Sequence, residues 1–200
     1  MPTETGIYTE DEAKIGHDFS SRLAKWIGEY LPKYEKLVDV GCGLATYLRY
    51  LHDIGFANLS GFEGTPQNFE FGNVFICDLA DDNSDLILHE KNVGVSGHYK
   101  PFSKNAMCLE VGEHIPEQHL KTFLDRFLNY VGIGGKLIIS WAIPGQDGIG
   151  HVSCRHNVWV INEFEKRGFK FLAEDTLSAR SVIEERVSYF RNTLMIFERI

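Results

Sequence analysis

Phe19, Leu23, Trp26, Ile27 and Tyr30 recur at helical spacing ahead of Pro32, and this pattern predicts an amphipathic helix that stops there. From residue 36 onward, short apolar runs alternate with segments of helical period. Residues 36–40 (KLVDV) read as a strand, and 45–55 as a helix closed by Gly55. Residues 58–63 (NLSGFE), 73–78 (NVFICD) and 105–110 (NAMCLE) read as three further strands. A helix is predicted over 116–132, with Pro116 near its start and Gly132 past its end. The strongest strand pattern is 134–142 (GGKLIISWA). A helix over 156–169 stops at Gly168, and 169–175 (FKFLAED) and 193–199 (TLMIFER) supply two late strands. Residues 81–104 are long and turn-rich, with room for a helix, a loop over a site, or both. Residues 181–192 (SVIEERVSYFRN) are amphipathic and are expected to pack on the sheet, with Arg180 and Arg186 as candidates to reach a substrate.

Strands alternating with helices imply an α/β fold, a parallel sheet with helices on both faces. In such sheets ligands sit beyond the carboxyl ends of the strands, near the point where strand order reverses. The residues that follow each strand are therefore the ones that carry chemical information.

Composition narrows the class. The chain has 200 residues, 44% hydrophobic and 24% charged, as expected of one soluble domain over 1–200, with 1–35 as its N-terminal helical part. A net charge of −8 makes nucleic acid and anionic membrane poor partners. No apolar run approaches the roughly 20 residues of a membrane span, and the acidic N-terminus resembles no targeting peptide. Cys42, Cys77, Cys108 and Cys154 include no CxxC pair; reduced structural thiols are expected, in the cytoplasm, ahead of zinc binding or disulfides.

The turn after the first strand holds Gly41, Cys42 and Gly43, with Asp39 just before it. Alone, G-x-G is equally at home in a tight turn without a ligand. Its companions are more telling. Glu63 ends the second strand, twenty residues past Gly43, where a carboxylate can accept both hydroxyls of a ribose, and Asp78 ends the third. A dinucleotide site would prefer a third glycine, but Thr46 stands there. The acids suit instead a phosphate-free ligand with an ammonium group, a ribose and an adenine, as in S-adenosylmethionine.

The successive motifs VDVGCGLATYL, GFEG, CDL, CLEVGEHIP and GGKLIISWAIPGQ resemble those of class I S-adenosylmethionine-dependent methyltransferases over residues 36–200. The resemblance implies a Rossmann-like, seven-stranded, mostly parallel sheet with an antiparallel last strand. It also implies direct methyl transfer, with S-adenosylhomocysteine as product. On that basis Asp39, Gly41, Cys42, Gly43, Glu63, Gly64, Cys77, Asp78, Leu79, Glu110 and Val111 are the expected donor-binding residues. Tyr8, Phe19 and Tyr47 are candidates for contacts from the N-terminal side.

Glu110, Glu113 and His114 follow the fourth strand, beside the expected methyl donor. A neutral imidazole can take a hydroxyl proton near pH 7, which makes His114 the candidate general base, Glu113 its orienting partner and His151 a second catalytic candidate. The bland alternative is that Glu113 and His114 only cap or solvate a helix start. E-x-x-E-H is also similar to ubiquinone-pathway O-methyltransferases and small-RNA 2′-O-methyltransferases. That similarity implies Glu110, Glu113 and His114 as candidate ligands of a divalent metal.

After the fifth strand, Trp141, Gln146, His151, Arg155 and His156 in a glycine-rich loop are the residue types that hold a polyol. LEVGEHIP with SWAIPGQDGIGHV is similar to methyltransferases of bacterial surface-polysaccharide clusters and large viruses, and more narrowly to the methyltransferase domains of chlorovirus multidomain glycosyltransferases. The implied activity is O-methylation of a glycan sugar, with rhamnose as one candidate. The same likeness implies a place within a larger glycosyltransferase polypeptide and, for a viral protein, the host cytoplasm. Competing readings are a phenol or quinone O-methyltransferase, an NAD-dependent oxidoreductase, and a non-catalytic nucleoside-binding module.

Overall fold

The computed structural model describes residues 4–8, 18–81 and 103–200. Helix α1 (Ser21–Tyr30) starts at Ser20, whose hydroxyl accepts the Leu23 N–H. Strand β1 (Leu37–Val40) leads to α2 (Thr46–Asp53), followed by β2 (Leu59–Glu63), β3 (Val74–Ile76) and β4 (Asn105–Cys108). Then come α3 (Leu120–Tyr130), β5 (Lys136–Ile139), α4 (Asn157–Glu165), β6 (Phe169–Phe171), α5 (Ala173–Ser181), a four-residue helix α6 (Phe190–Thr193) and β7 (Met195–Arg199).

The seven strands form one sheet in the order β3-β2-β1-β4-β5-β7-β6. β1 through β5 run parallel, and β7 lies antiparallel between β5 and β6, as expected from the sequence. Alternation along the strands divides the core. Val38, Ala106, Cys108, Leu137 and Ile139 face α3 and α4 with Phe123, Phe127 and Phe164. Leu37, Leu59, Met107, Ile138 and Ile196 face α1 and α2 with Leu23, Ile27, Leu48 and Leu51. Both faces are covered, which is why these strands read as continuous apolar runs. Strand order reverses between β1 and β4, so the turns after these two strands border one crevice.

One element differs from expectation. The strand expected over 169–175 ends at Phe171, and α5 follows at once. Glu174 and Asp175 in the first turn of α5 and Arg180 in the last complement the helix dipole. Its buried side chains are Thr176 and Ala179, too few and too polar to give the helical stripe that sequence reading depends on. The amphipathic stretch 181–192 does pack on the sheet, burying Ile183, Val187 and Phe190 against Ile196. The reading of 81–104 lies almost wholly outside the described residues. All four cysteines are free thiols, and no helix among the described residues is long and apolar enough to cross a membrane.

Candidate active site

A cavity of about 380 Å³ opens at the carboxyl ends of β1, β2 and β4, large enough for a nucleoside-sized ligand. Gly41 and Gly43 both have positive φ, 76° and 54°. A Cβ at Gly41 would lie 2.4 Å from Val111 Cγ2, so the turn needs glycine for conformation and for space. The Gly41 and Cys42 N–H groups donate to the Phe62 carbonyl, which ties this turn to β2.

Glu63 braces the turn. Its Oε2 accepts the Gly43 N–H at 2.9 Å and its Oε1 the Thr65 N–H at 3.0 Å. Burial raises its pKa, and these N–H groups oppose the rise. Each oxygen keeps a lone pair for a ribose hydroxyl. Asp39 is buried beside it, and burial together with the Glu63 charge raises its pKa well above the usual range. A cationic ammonium is the natural partner for such a carboxyl. Asp78 and Leu79 line the far end of the cavity, where the Asp78 Oδ1 accepts the Ala80 N–H.

Glu113 and His114 follow β4 in a single tight turn, Gly112–His114. His151 enters from the loop after β5, held by two backbone bonds from the Val152 and Ser153 N–H groups to the Glu113 carbonyl. A Cβ at Gly148 would come within 2.1 Å of His151 Nε2, so only glycine lets the loop pass that ring. Glu113 Oε1 lies 4.0 Å from His114 Nε2 and 3.9 Å from His151 Nε2, beyond hydrogen-bond reach. Glu113 is fully buried, and among the described residues neither oxygen has a hydrogen-bond partner of good geometry. Burial, reinforced by the neighbouring Glu110 charge, pushes its pKa well up. These three residues offer one ligand atom each, all within 4.8 Å of one another.

The expected metal set therefore changes by one residue. Glu110 stands beside the cluster, not in it: its carboxylate accepts from Gln146 Nε2 and Thr193 Oγ1, and its own backbone sits at φ 54°. His151 takes its place in the cluster. Other expectations also shift. Cys77 is not a cavity wall; it is buried in the core, its sulfur 3.6 Å from an Arg126 nitrogen. Trp141 is fully buried against Gly112, with Nε1 bonded to the Ser153 carbonyl, and is a support of the loop, not a sugar platform. Arg155 pairs with Glu117 and stacks on Trp159, Arg180 holds the Leu194 carbonyl, and Arg186 holds the Phe19 carbonyl. None of those arginines, nor His156, lines the cavity.

Phe19 and Tyr47 do line it, packed edge to face at 4.9 Å. Tyr8 lines it too but sits on His114, not on the donor turn. Sequence reading missed Asp18, Asp147, Tyr189 and Phe190, which also line it, as do Thr5, Gly6 and Ile7 of the N-terminal segment. Tyr189 reaches Asp18 Oδ2 at 3.1 Å. An aromatic pair just before the last strand was the available signal.

His114 is pushed down to about 4, mainly by burial, with the nearby His151 adding to the effect. The ring is therefore neutral at pH 7. As pH falls the unfolded chain, near 6.5, binds the proton before the folded one does. The stability associated with the neutral ring is fully present above pH 6.5 and is lost between 6.5 and 4. Urea unfolding in chelator should thus show the gap between the parent chain and His114→Asn moving toward the variant by about 3 kcal/mol from pH 7 to pH 4. A constant gap would mean that the ring is not held neutral by burial.

No protein-family model matches the chain. It is 24% identical over 173 residues to a sphingolipid C9-methyltransferase of Gibberella zeae, covering 74% of this chain and 31% of that protein. It is 25% identical over 147 residues to a dTDP-3-amino-3,6-dideoxy-α-D-glucopyranose N,N-dimethyltransferase of Streptomyces fradiae, covering 72% and 54%. The chain thus spans about half or less of the length of these relatives. The sugar N-methyltransferase KedS8 from a Streptoalloteichus species superposes with a TM-score of 0.62 at 14% identity, over 92% of this chain and 95% of that one. Further structures with this fold hold S-adenosylmethionine or S-adenosylhomocysteine. The chain has the Rossmann-like fold of S-adenosylmethionine-dependent methyltransferases.

Proposed function

We propose that the chain is an S-adenosylmethionine-dependent methyltransferase that transfers the methyl group to a sugar hydroxyl of a glycan, a rhamnose-bearing one being the first to try. The observation that carries this reading is the Glu113–His114–His151 cluster beside the cavity that Gly41, Gly43 and Glu63 shape. The donor would lie over the two glycines, its ribose on Glu63, its ammonium near Asp39 and its adenine between Asp78 and Val111. The methyl group then faces His114.

In the transfer, the acceptor oxygen forms a bond to the methyl carbon as the carbon–sulfur bond breaks, and the pair leaves with a now neutral thioether. The hydroxyl proton goes to His114. A base of low pKa suffices, because the oxygen becomes strongly acidic only as it is alkylated. Alignment of oxygen, methyl and sulfur supplies most of the acceleration.

A divalent cation fits the same residues, since among the described residues the fully buried Glu113 carboxyl has no well-aligned hydrogen-bond partner and two imidazole nitrogens lie 4.0 and 3.9 Å from it. In that arrangement, which replaces the role of His114 as base, Glu113, His114 and His151 would hold the ion, and it would lower the pKa of a bound hydroxyl. Two imidazoles with one carboxylate suit a first-row transition ion better than magnesium.

An amino-sugar acceptor is the second reading. The names of the Streptomyces fradiae relative and of KedS8 favour it, as do the acids Glu110 and Asp147 along the acceptor side. Labelled donor offered to rhamnose-bearing glycans, amino sugars, phenols and RNA tests both. Label in the hydroxyl sugar is expected, and label in amino sugar alone selects the second reading. Label only in RNA or phenol defeats both. Turnover lost with chelator and restored by manganese or zinc assigns the cluster to a metal.

A further inference from the structure

Asp18 and Tyr189 lie 171 residues apart in the chain and meet on the cavity wall. Asp18 stands just before the Ser20 cap of α1, and Tyr189 just before α6. The Tyr189 carbonyl accepts the Thr193 N–H at 3.1 Å, and its half-buried ring packs on the buried Phe190, 4.6 Å between centroids. β7 lies antiparallel beside β5 with Met195 opposite Ile139, so the residues leading into β7 arrive at the carboxyl end of β5. β1 and β2, which carry the glycine turn and Glu63, lie on the other side of β4.

The Tyr189 hydroxyl donates its single proton to Asp18 Oδ2 at 3.1 Å, so its oxygen can only accept from a further partner. Burial and the nearby Asp18 and Glu110 charges hold its pKa above the usual phenol range, which keeps that proton in place. Asp18 Oδ1 has Arg186 Nη1 at 3.7 Å, an ion pair too long for a hydrogen bond, and the Asp18 side chain is 49% exposed. Arg186 spends another nitrogen on the Phe19 carbonyl. The pair therefore offers hydrogen-bond acceptors beside an aromatic ring. A pyranose is the matching shape, with hydroxyl donors around its edge and C–H groups on its faces.

We infer that Asp18 and Tyr189 form the subsite that holds the acceptor sugar, Asp18 Oδ1 and the Tyr189 oxygen receiving its hydroxyls and the Tyr189 ring lying against its C–H face. The inference rests on the reading of the chain as a sugar methyltransferase. It supplies the aromatic platform that Trp141, fully buried under the loop, does not. The two residues fix specificity through binding, because neither bonds to His114 or to the glycine turn among the described residues.

Asp18→Asn keeps the shape but turns an amide donor toward the sugar, while Tyr189→Phe keeps the ring and removes the hydroxyl. Initial rates with labelled donor and methyl rhamnoside, or whichever sugar of the panel the parent methylates, give KM and kcat, and calorimetry of S-adenosylhomocysteine reads the donor side. Each variant should raise the sugar KM roughly tenfold, with kcat and donor Kd within about twofold. Together they should cost less than the product of the two effects, because they share one bond. A parental KM in both variants strikes out the subsite alone, as does a loss of S-adenosylhomocysteine affinity that matches the rise in KM, which would put Asp18 on the donor. A parent chain that methylates no sugar removes the proposed function, and the subsite falls with it.

Discussion

Replacing His114 by alanine should lower kcat roughly 10²–10⁴-fold and leave donor affinity nearly unchanged. The imidazole lines the cavity beside His151, while the turn proposed to seat the donor is built from Gly41, Gly43 and Glu63, none of which bonds to it. The ring also contributes packing against Tyr8 and His151, both at 5.0 Å. His114→Asn is the companion variant, since it keeps a polar group in the turn but cannot serve as a base. Steady-state rates with labelled donor, beside calorimetry of S-adenosylhomocysteine, separate the two effects. A variant that turns over at the parental rate would take the proton-accepting role away from His114.

Glu63 carries the second large expectation. Glu63→Ala should weaken donor binding by about 1–3 kcal/mol, because on the proposed reading the carboxylate would receive the ribose of the donor, and it braces the turn that would seat it. Glu63→Gln should not restore the affinity. The two oxygens face two backbone donors, Gly43 N–H and Thr65 N–H. A glutamine amide must turn its NH₂ toward one of them, which replaces a bond by a clash of donors. Calorimetric Kd values for the three proteins test this, and a Gln variant as tight as the parent would show that charge and acceptor count at residue 63 do not matter.

Much of the fold was legible because both faces of the sheet are buried and the glycines and prolines that end its elements are unambiguous. β1, β4 and β5 announce themselves as apolar runs, and Glu63 as the acid that ends β2. Helix α5 was hidden for the opposite reason: Thr176 and Ala179 are the residues it buries, and its propensity lies in terminal charges. In the candidate site, Glu113 and His114 could be read from their place after β4. Their meeting with His151, thirty-seven residues past His114, could not be decided from the sequence, because it depends on β4 and β5 lying side by side and on Gly148 admitting the ring. Trp141 misled for a related reason. A tryptophan just past a strand looks like a sugar platform, yet Gly112 leaves a gap that its ring fills. The position of Tyr8 against His114 needed the whole tertiary fold, since its partners lie 57, 106 and 141 residues away.

On the proposed reading, the glycine turn braced by Glu63 receives a sulfonium nucleoside. Isothermal titration of the parent chain with S-adenosylhomocysteine is its most direct test. Saturable one-to-one binding is predicted, with NAD giving no heat under the same conditions. Absence of binding by the nucleoside, or preference for NAD, would contradict it.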